Sequence, residues 1–373
     1  RNLLLMKILI IEPYYTGSHK SWSIGFKKNS SHSIKILSMK GHFWKWRMHG
    51  GAVTMANEFH SLNYKPDLIL ASDMLDLSTF VSLTKRETIG IPIVLYFHEN
   101  QITYPWSKTD RDIMKNRDNH YGFINYTSAL SADFILFNSN FHMNSFLNIL
   151  PTFLKQFPDY NELETVNTIK QKSNVLYLGL DLGRFDKIKT KKTKTPLILW
   201  NHRWEYDKNP ELFFSVLKKI RSKGLNFSLA IIGENFSNSP TIFDSAKKDF
   251  KNQIIKWGYL NSRTNYAEWL CKSDILPVTS NQEFFGASVM EAIYCNTWPI
   301  LPKRLTYPEL IPRDLHNTHL YQSEKELINK LTWALENLSS IRKNKLKFIS
   351  KRFDWKNISP IFDKTLTEVK EKY

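Results

Sequence analysis

Short apolar runs alternate with longer amphipathic segments along nearly the whole chain, and few folds accept that alternation. In the first half the runs are Lys7–Glu12, Ser33–Ser38, Asp67–Ala71, Ile91–His98, Asp133–Asn138 and Asn174–Leu178. Leu77–Thr88 and His142–Lys155 lie between them with helical spacing of their apolar residues. Parallel strands need a crossover between them, so strand, helix, strand in succession reads as a series of parallel βα units. The series stops at Lys187–Thr195, KIKTKKTKT, which has almost nothing to bury and reads as an exposed linker. It restarts with Leu197–Trp200, Phe227–Ile232, Ile254–Trp257, Asp274–Val278 and Trp298–Leu301, and the chain ends in polar, periodic helices over Glu324–Leu338 and Ile361–Lys370. Two doubly wound α/β sheets joined by one linker are expected. The length of 373 residues, 42% of them hydrophobic, exceeds what one core supports and suits two. No repeat of solenoid length competes with that reading.

Cys271 and Cys295 are the sole cysteines, too few for a disulfide scaffold or a four-ligand zinc site, and a reducing cytoplasm fits best. The apolar start, Leu3–Ile11 interrupted by Lys7, falls far short of the roughly 20 residues that a membrane span needs and reads as the first buried strand. Met6 is read as the natural start, with Arg1–Leu5 as an upstream extension. The 52 Lys and Arg against 35 Asp and Glu give a formal charge of +17. That excess is uneven. From Pro13 to Asn57 there is no acid, while Lys20, Lys27, Lys28, Lys35, Lys40, Lys45 and Arg47 share the stretch with Trp22, Trp44, Trp46 and several histidines. Cations interleaved with aromatics suit a polyanion with bases to stack on, and a lysine-rich surface without a partner has the same look.

In open parallel sheets ligands gather beyond the carboxyl ends of strands, so chemistry is sought after each run. After Asp274–Val278 comes Glu283-Phe-Phe-Gly-Ala-Ser-Val-Met-Glu291, opening a helical run over Ala287–Tyr294. Backbone N–H groups around Phe285, Gly286 and Ala287 would point at an anion, with Gly286 admitting a diphosphate close to the main chain. An acidic first turn with an ordinary surface Glu gives the same pattern. After Leu197–Trp200 comes Asn201-His-Arg-Trp-Glu-Tyr-Asp-Lys-Asn-Pro210, in which Arg203 and Lys208 suit a fork and a point charge on one pyrophosphate.

The Arg203…Lys208 loop, Ile232-Gly233-Glu234, Trp257-Gly258-Tyr259 and the Glu283/Glu291 pair, in that order over Leu197–Leu301, resemble the C-terminal domain of the large retaining GT-B glycosyltransferase family. The resemblance implies an α/β fold of GT-B type, two Rossmann-like doubly wound domains facing a central cleft. It implies an acceptor domain over 6–186, a nucleotide-sugar donor domain over 196–350, and a C-terminal helix within 351–373 packing back toward the first domain. By the same resemblance Arg203 and Lys208 bind the donor diphosphate, Glu283 faces the sugar, Glu291 holds the ribose hydroxyls and Tyr259 lies near the base. Asn209 departs from the pattern, which usually has glycine there.

The N-terminal half narrows the family. IEPYYTGSHKSW, FWKWRMHGG, HENQITYP and FNSNFH, together with NHRWEYDKNP, resemble the tRNA-queuosine alpha-mannosyltransferase family over nearly the whole chain. This implies a GDP-mannose donor, transfer with retention, and as acceptor a hydroxyl of the queuosine cyclopentenediol at the tRNA wobble position. Within that picture Gly17 and Ser18 approach the donor, His98 bonds a sugar hydroxyl as a catalytic residue beside Glu283, Arg203 and Lys208, and His202 is a donor ligand or a loop-fixing group. Trp44, Lys45, Arg47, His49 and Asn100 are the acceptor-side candidates. The aspartates are isolated and form no Asp-x-Asp pair, so neither a metal nor a cofactor is expected beside the sugar nucleotide, and no stable membrane insertion is expected. Two other readings stay open: a GT-B enzyme glycosylating a lipid or polysaccharide at a membrane surface, and a catalytically silent tRNA-binding protein.

Overall fold

The structure, a computed structural model, describes residues 5–107, 110, 112, 119–235 and 239–373. The expectation about an upstream extension therefore lies, Leu5 apart, outside the described residues. Two compact units emerge, one running to Leu180 and including Trp355–Tyr373, the other Asp181–Asp354.

In the first unit the strands β1 (Lys7–Tyr15), β2 (Ser33–Lys40), β3 (Leu68–Ser72), β4 (Ile93–Phe97), β5 (Phe134–Phe137) and β6 (Ser173–Val175) form one sheet in the order β2-β1-β3-β4-β5-β6. Every pairing is parallel. Helices cover both faces of such a sheet, which is why Ile8–Ile11, Leu68–Ala71 and Val94–Phe97 are buried without alternation. The chain leaves β1 through helix α1 (Gly17–Asn29) to β2 on one side. It then crosses by helix α2 (Trp44–His60) to β3 on the other, so the order reverses between β1 and β3. At that point a ligand crevice is expected.

In the second unit β7 (Leu197–Trp200), β8 (Ser228–Ile231), β9 (Ile254–Trp257), β10 (Ile275–Pro277), β11 (Trp298–Pro302) and β12 (Leu320–Tyr321) form an all-parallel sheet ordered β12-β11-β10-β7-β8-β9. β12 has two residues, too few to register as an apolar run. The reversal falls between β7 and β10. Their entry edge is pinned by the buried Asp274, which accepts from Leu197 N at 2.9 Å and from Arg342 Nε and Nη2 at 2.8 Å each. Lys192 adds to this node, 3.6 Å from Asp274 and donating to Ser273 O at 2.5 Å. The stretch read as a free linker thus holds one side chain against the sheet it precedes. Among the described residues no helix is long and apolar enough to cross a membrane.

The C-terminal helix Trp355–Lys372 returns to the first unit, where it lies against α1. It starts six residues before the sequence pattern suggested, running through Pro360, because its first turn carries the buried Trp355 and Ile358. Asp363 accepts from Ser30 Oγ at 2.6 Å and from both N and Oγ of Ser31 at 2.7 Å, so the carboxylate holds the turn that follows α1. The Trp355 indole lies between two glycines. A Cβ on Gly25 would fall 2.0 Å from Trp355 Nε1, and one on Gly179 would fall 2.4 Å from its ring. Phe26 and Phe362 complete the aromatic packing at 6.1 and 5.8 Å between ring centres. Truncating a buried tryptophan costs about 3–5 kcal/mol. Trp355→Ala is therefore expected to lower the unfolding free energy of the first unit by that amount, and Gly179→Ala to destabilise it as well; denaturant unfolding of each variant checks this.

Candidate active site

At the switch point of the second unit two loops meet. β7 leads into Asn201–Asn209 and β10 into Thr279–Gly286. Asp207 O accepts from Asn281 N at 2.7 Å and Gln282 N at 3.3 Å, while Thr279 Oγ1 donates to Lys208 O and Asn209 O at 3.0 and 2.9 Å. The stitching brings Lys208 Nζ to 3.2 Å from Glu283 Oε2, 3.0 Å from Asp207 Oδ2 and 3.0 Å from Gln282 O. Lys208 is buried. Desolvation works against its charge, but the Glu283 and Asp207 carboxylates outweigh it and hold the ammonium above its ordinary pKa. It is a fixed cation at neutral pH.

The departure at Asn209 is resolved by its backbone. Asn209 sits at φ 51°, ψ 59°, the left-handed region that glycine prefers and asparagine tolerates. Its Oδ1 then accepts from Leu212 N at 3.3 Å and caps the helix Pro210–Ser222, something glycine would not do. The Ile232-Gly233-Glu234 motif has an equally plain cause: a Cβ on Gly233 would lie 1.5 Å from the His202 carbonyl oxygen. That approach lets Trp204 N donate to Glu234 O at 2.8 Å and sets the loop carrying Arg203. The Arg203 side chain is 45% exposed, 3.2 Å from the Glu205 carboxylate. His202 is buried, with Nδ1 3.4 Å from Ser288 Oγ. Burial first, and the Lys208 charge second, push its pKa down to about 4, so it is neutral at pH 7.

Gly286 at φ 85° turns the chain into the helix Ala287–Tyr294, and Phe285 is buried against Phe353, so Phe285 can offer a ligand only its backbone. Glu291 projects from that helix with both oxygens engaged. Arg184 Nη2 reaches Oε1 at 2.6 Å and the Tyr266 hydroxyl donates to Oε2 at 3.0 Å. Its side chain is 17% exposed, which disfavours the alternative of an ordinary surface Glu. Burial raises the Glu291 pKa against the opposing pull of Arg184. Arg184 and Tyr266 were not singled out in the sequence, and no local signal marks them. Tyr259 is exposed after β9.

At the switch point of the first unit, Gly17 and Ser18 begin α1 and are exposed. Beside them Glu12 at the end of β1 is fully buried, with Oε2 2.9 Å from His19 Nδ1 and Oε1 accepting from Tyr14 N at 2.9 Å. His19 is buried too. Desolvation disfavours its charge, yet the Glu12 carboxylate prevails and raises the pKa to about 9. His98 follows β4, its ring centre 4.3 Å from that of His19, and its own pKa is driven well below the usual value by burial and by the charge on His19. Both ring nitrogens of His98 lack a partner among the described residues. Asp73 holds the loop by accepting from His98 N at 2.8 Å. Glu12, His19 and Asp73 were given no role in the sequence: Glu12 and His19 meet across seven residues, but strand order alone brings Asp73 and His98 to them. Glu12, His19 and His98 place ligand-type atoms within 4.8 Å of one another, and a cation there would have to break the His19–Glu12 contact.

The acceptor-side candidates separate. Asn100 is fully buried and spends its side chain on a turn, Oδ1 accepting from Ile102 N and Thr103 N at 3.1 and 2.9 Å, so its place is structural. Lys45 lies 2.6 Å from Asp110 and 2.5 Å from Asp112, and Trp44 packs on Tyr121 at 5.1 Å. Arg47 is half-buried, its Nε donating to Lys40 O at 3.0 Å, while His49 stacks on His120 at 4.1 Å. Nearby, Phe43 is 79% exposed and Trp46 62% exposed.

Residues 7–180 match the profile of the tRNA-queuosine alpha-mannosyltransferase N-terminal family, and residues 183–351 that of glycosyl transferases group 1. The tRNA-queuosine alpha-mannosyltransferase of Drosophila melanogaster is 31% identical over 379 residues, covering 97% of each chain. The chain belongs to that family. It is a glycosyltransferase. Among solved structures, a glycosyltransferase from Rickettsia africae is similar at TM-score 0.69 and 15% identity over 99% of this chain and 100% of the other. Anabaena HepE in complex with UDP is similar at TM-score 0.67 and 16% identity over 97% and 100%. Sucrose-phosphate synthase from Thermosynechococcus elongatus is similar at TM-score 0.70 and 12% identity over 98% and 100%. At these identities the likeness establishes the GT-B fold alone.

The buried pair in the first unit of this family member yields a pH prediction. His19 has its folded pKa raised above the unfolded value of 6.5, so the stability it contributes is complete below about pH 6.5 and is lost as pH rises through about 9. Glu12→Gln removes the opposing carboxylate, and burial then dominates. NMR titration of the His19 ring is expected to show a pKa near 9 in the parent chain and one below 6.5 in the variant.

Proposed function

We propose that the chain transfers mannose from GDP-mannose to the cyclopentenediol of queuosine in a tRNA anticodon, with retention, in the cytoplasm. Membership of the family supports the reaction, and the observation that carries its chemistry is the buried Lys208 ammonium at the β7/β10 switch point. A diphosphate leaving group gains negative charge as the glycosidic bond breaks, and the Lys208 ammonium stabilises it once Glu283 turns from it to the sugar. Arg203, exposed on the same loop, adds a forked donor for phosphate oxygens. Glu291, oriented by Arg184 and Tyr266, is assigned to the ribose hydroxyls, and Glu283 to the sugar. His98, whose imidazole nitrogens have no partner among the described residues, is assigned to a sugar hydroxyl. In this reading the acceptor hydroxyl attacks from the face the diphosphate leaves, and a phosphate oxygen takes its proton.

Purified protein incubated with GDP-mannose and queuosine-containing tRNA is expected to yield mannosyl-queuosine by nucleoside mass analysis, with and without chelator. Arg203→Ala is expected to fold normally and lower turnover by roughly 10²-fold. No product, or product only on a lipid or polysaccharide acceptor, would overturn the reading.

The RNA contact is assigned to the first unit, where the acid-free stretch Pro13–Asn57 places exposed Lys20, Lys27, Lys28 and Lys40 with Phe43 and Trp46. Cations that neutralise phosphates release counterions, and exposed rings stack on unpaired bases. Lys45 is already neutralised by two aspartates. Arg47→Ala is therefore expected to reduce the slope of log affinity against log salt by about one, and Lys45→Ala to leave it nearly unchanged. Titrations of labelled tRNA at several salt concentrations measure both.

A further inference from the structure

The chain's two cysteines take no part in the sugar transfer, yet the fold brings them together. Cys271 lies in the last turn of the helix Arg263–Lys272, and Cys295 directly follows the helix Ala287–Tyr294. Their sulfurs, from residues 24 apart in sequence, stand 3.3 Å from each other as free thiols, both partly exposed. A cavity of about 460 Å³ opens beside them. Lys189, Lys192, Arg342 and Lys347 line it against Asp186 and Asp274, four cations to two carboxylates, a net charge of +2. The two thiols are not equivalent. The sulfur–sulfur contact with Cys295, aided by the Lys192 ammonium, lowers the Cys271 pKa, while the same contact and burial push the Cys295 pKa up. Cys271, which shares the cavity with the Lys192 ammonium, is assigned as the attacking thiolate and Cys295 as the resolving thiol.

We propose that Cys271 and Cys295 form a dithiol–disulfide site, oxidised by an anionic low-molecular-weight disulfide that enters the cationic cavity. The Cys271 thiolate attacks one sulfur of the small disulfide, whose S–S bond breaks and expels one thiolate. Cys295 then loses its proton and attacks the Cys271 sulfur of the mixed disulfide, forming the Cys271–Cys295 bond and expelling the second thiolate. Two protein thiols are oxidised, one small disulfide is reduced to two thiols, and the two protons released by the protein go to them. In a reducing compartment such a pair cycles rather than standing as a scaffold.

The site is coupled to the donor machinery by direct contacts. Cys295 N donates to Glu291 O at 3.3 Å, and the helix ending in Cys271 and Lys272 carries Tyr266, whose hydroxyl holds the Glu291 carboxylate. Closing the bond ties together the two helices that orient Glu291.

The test treats the reduced full-length chain with glutathione disulfide and follows intact mass, peptide mapping and thermal unfolding. The expected product is a monomer about 2 Da lighter, with the peptides of Cys271 and Cys295 joined and a melting midpoint roughly 5 °C higher, reversed by dithiothreitol. Cys295→Ser is expected to stop as a glutathione adduct on Cys271, and Cys271→Ser to react at least about tenfold more slowly. Two free thiols after treatment, a stable glutathione adduct on the parent chain, or disulfide-linked dimers would each overturn the proposal.

Discussion

A parallel strand cannot turn directly back to its neighbour; the chain must cross the sheet, and every crossover returns it to the same starting edge. The whole molecule follows from that constraint. In both units each strand ends on the opposite edge, where the loops collect, and the reversal of strand order between β1 and β3 and between β7 and β10 leaves room for them. Glu12, Asp73 and His98 come to one such edge, Lys208 and Glu283 to the other. Neither set is close in sequence. Burial of the strands on both faces leaves the strand ends as the places where polar groups can gather.

Burying charge at those edges is costly unless it is paired, and the pairs here fall into two types. Lys208 between Asp207 and Glu283 is a cation that two carboxylates keep charged. A diphosphate arriving there would meet a group already desolvated and already oriented. Glu12 with His19 is the reverse case, a buried carboxylate that keeps an imidazole protonated, while burial first and the His19 charge second hold the adjacent His98 neutral. Two neighbouring histidines are thus held in opposite protonation states, one by a carboxylate and the other chiefly by burial. Arg184 and Tyr266 do comparable work for Glu291, occupying its two oxygens and setting the carboxylate's direction.

Much of the second unit's candidate site was legible because its signals are local. A loop after a strand, a left-handed position before a helix and a glycine at a close approach leave marks within a few residues, and Asn209, Gly233 and Gly286 can be read that way. The basic aromatic stretch of the first unit was less legible. Trp44, Lys45 and Trp46 look alike in a basic aromatic run, and only the orientation of α2 separates a ring packed on Tyr121 from one 62% exposed. Likewise Lys45 cannot be told from a free surface cation until Asp110 and Asp112, more than sixty residues on, are found beside it.

The amino-acid sequence by itself determined the class of fold, two parallel α/β sheets, because strand and helix periodicity are properties of neighbouring residues. It also determined the family, because the motifs that carry the resemblance are contiguous. Tertiary structure alone decided which charges are paired. Arg184 meets Glu291 across 107 residues, His19 and His98 stack across strand order, and Cys271 finds Cys295 between two helices. Such partners leave no periodic trace. They are selected by which strands become neighbours, and that choice is made by packing over the whole core.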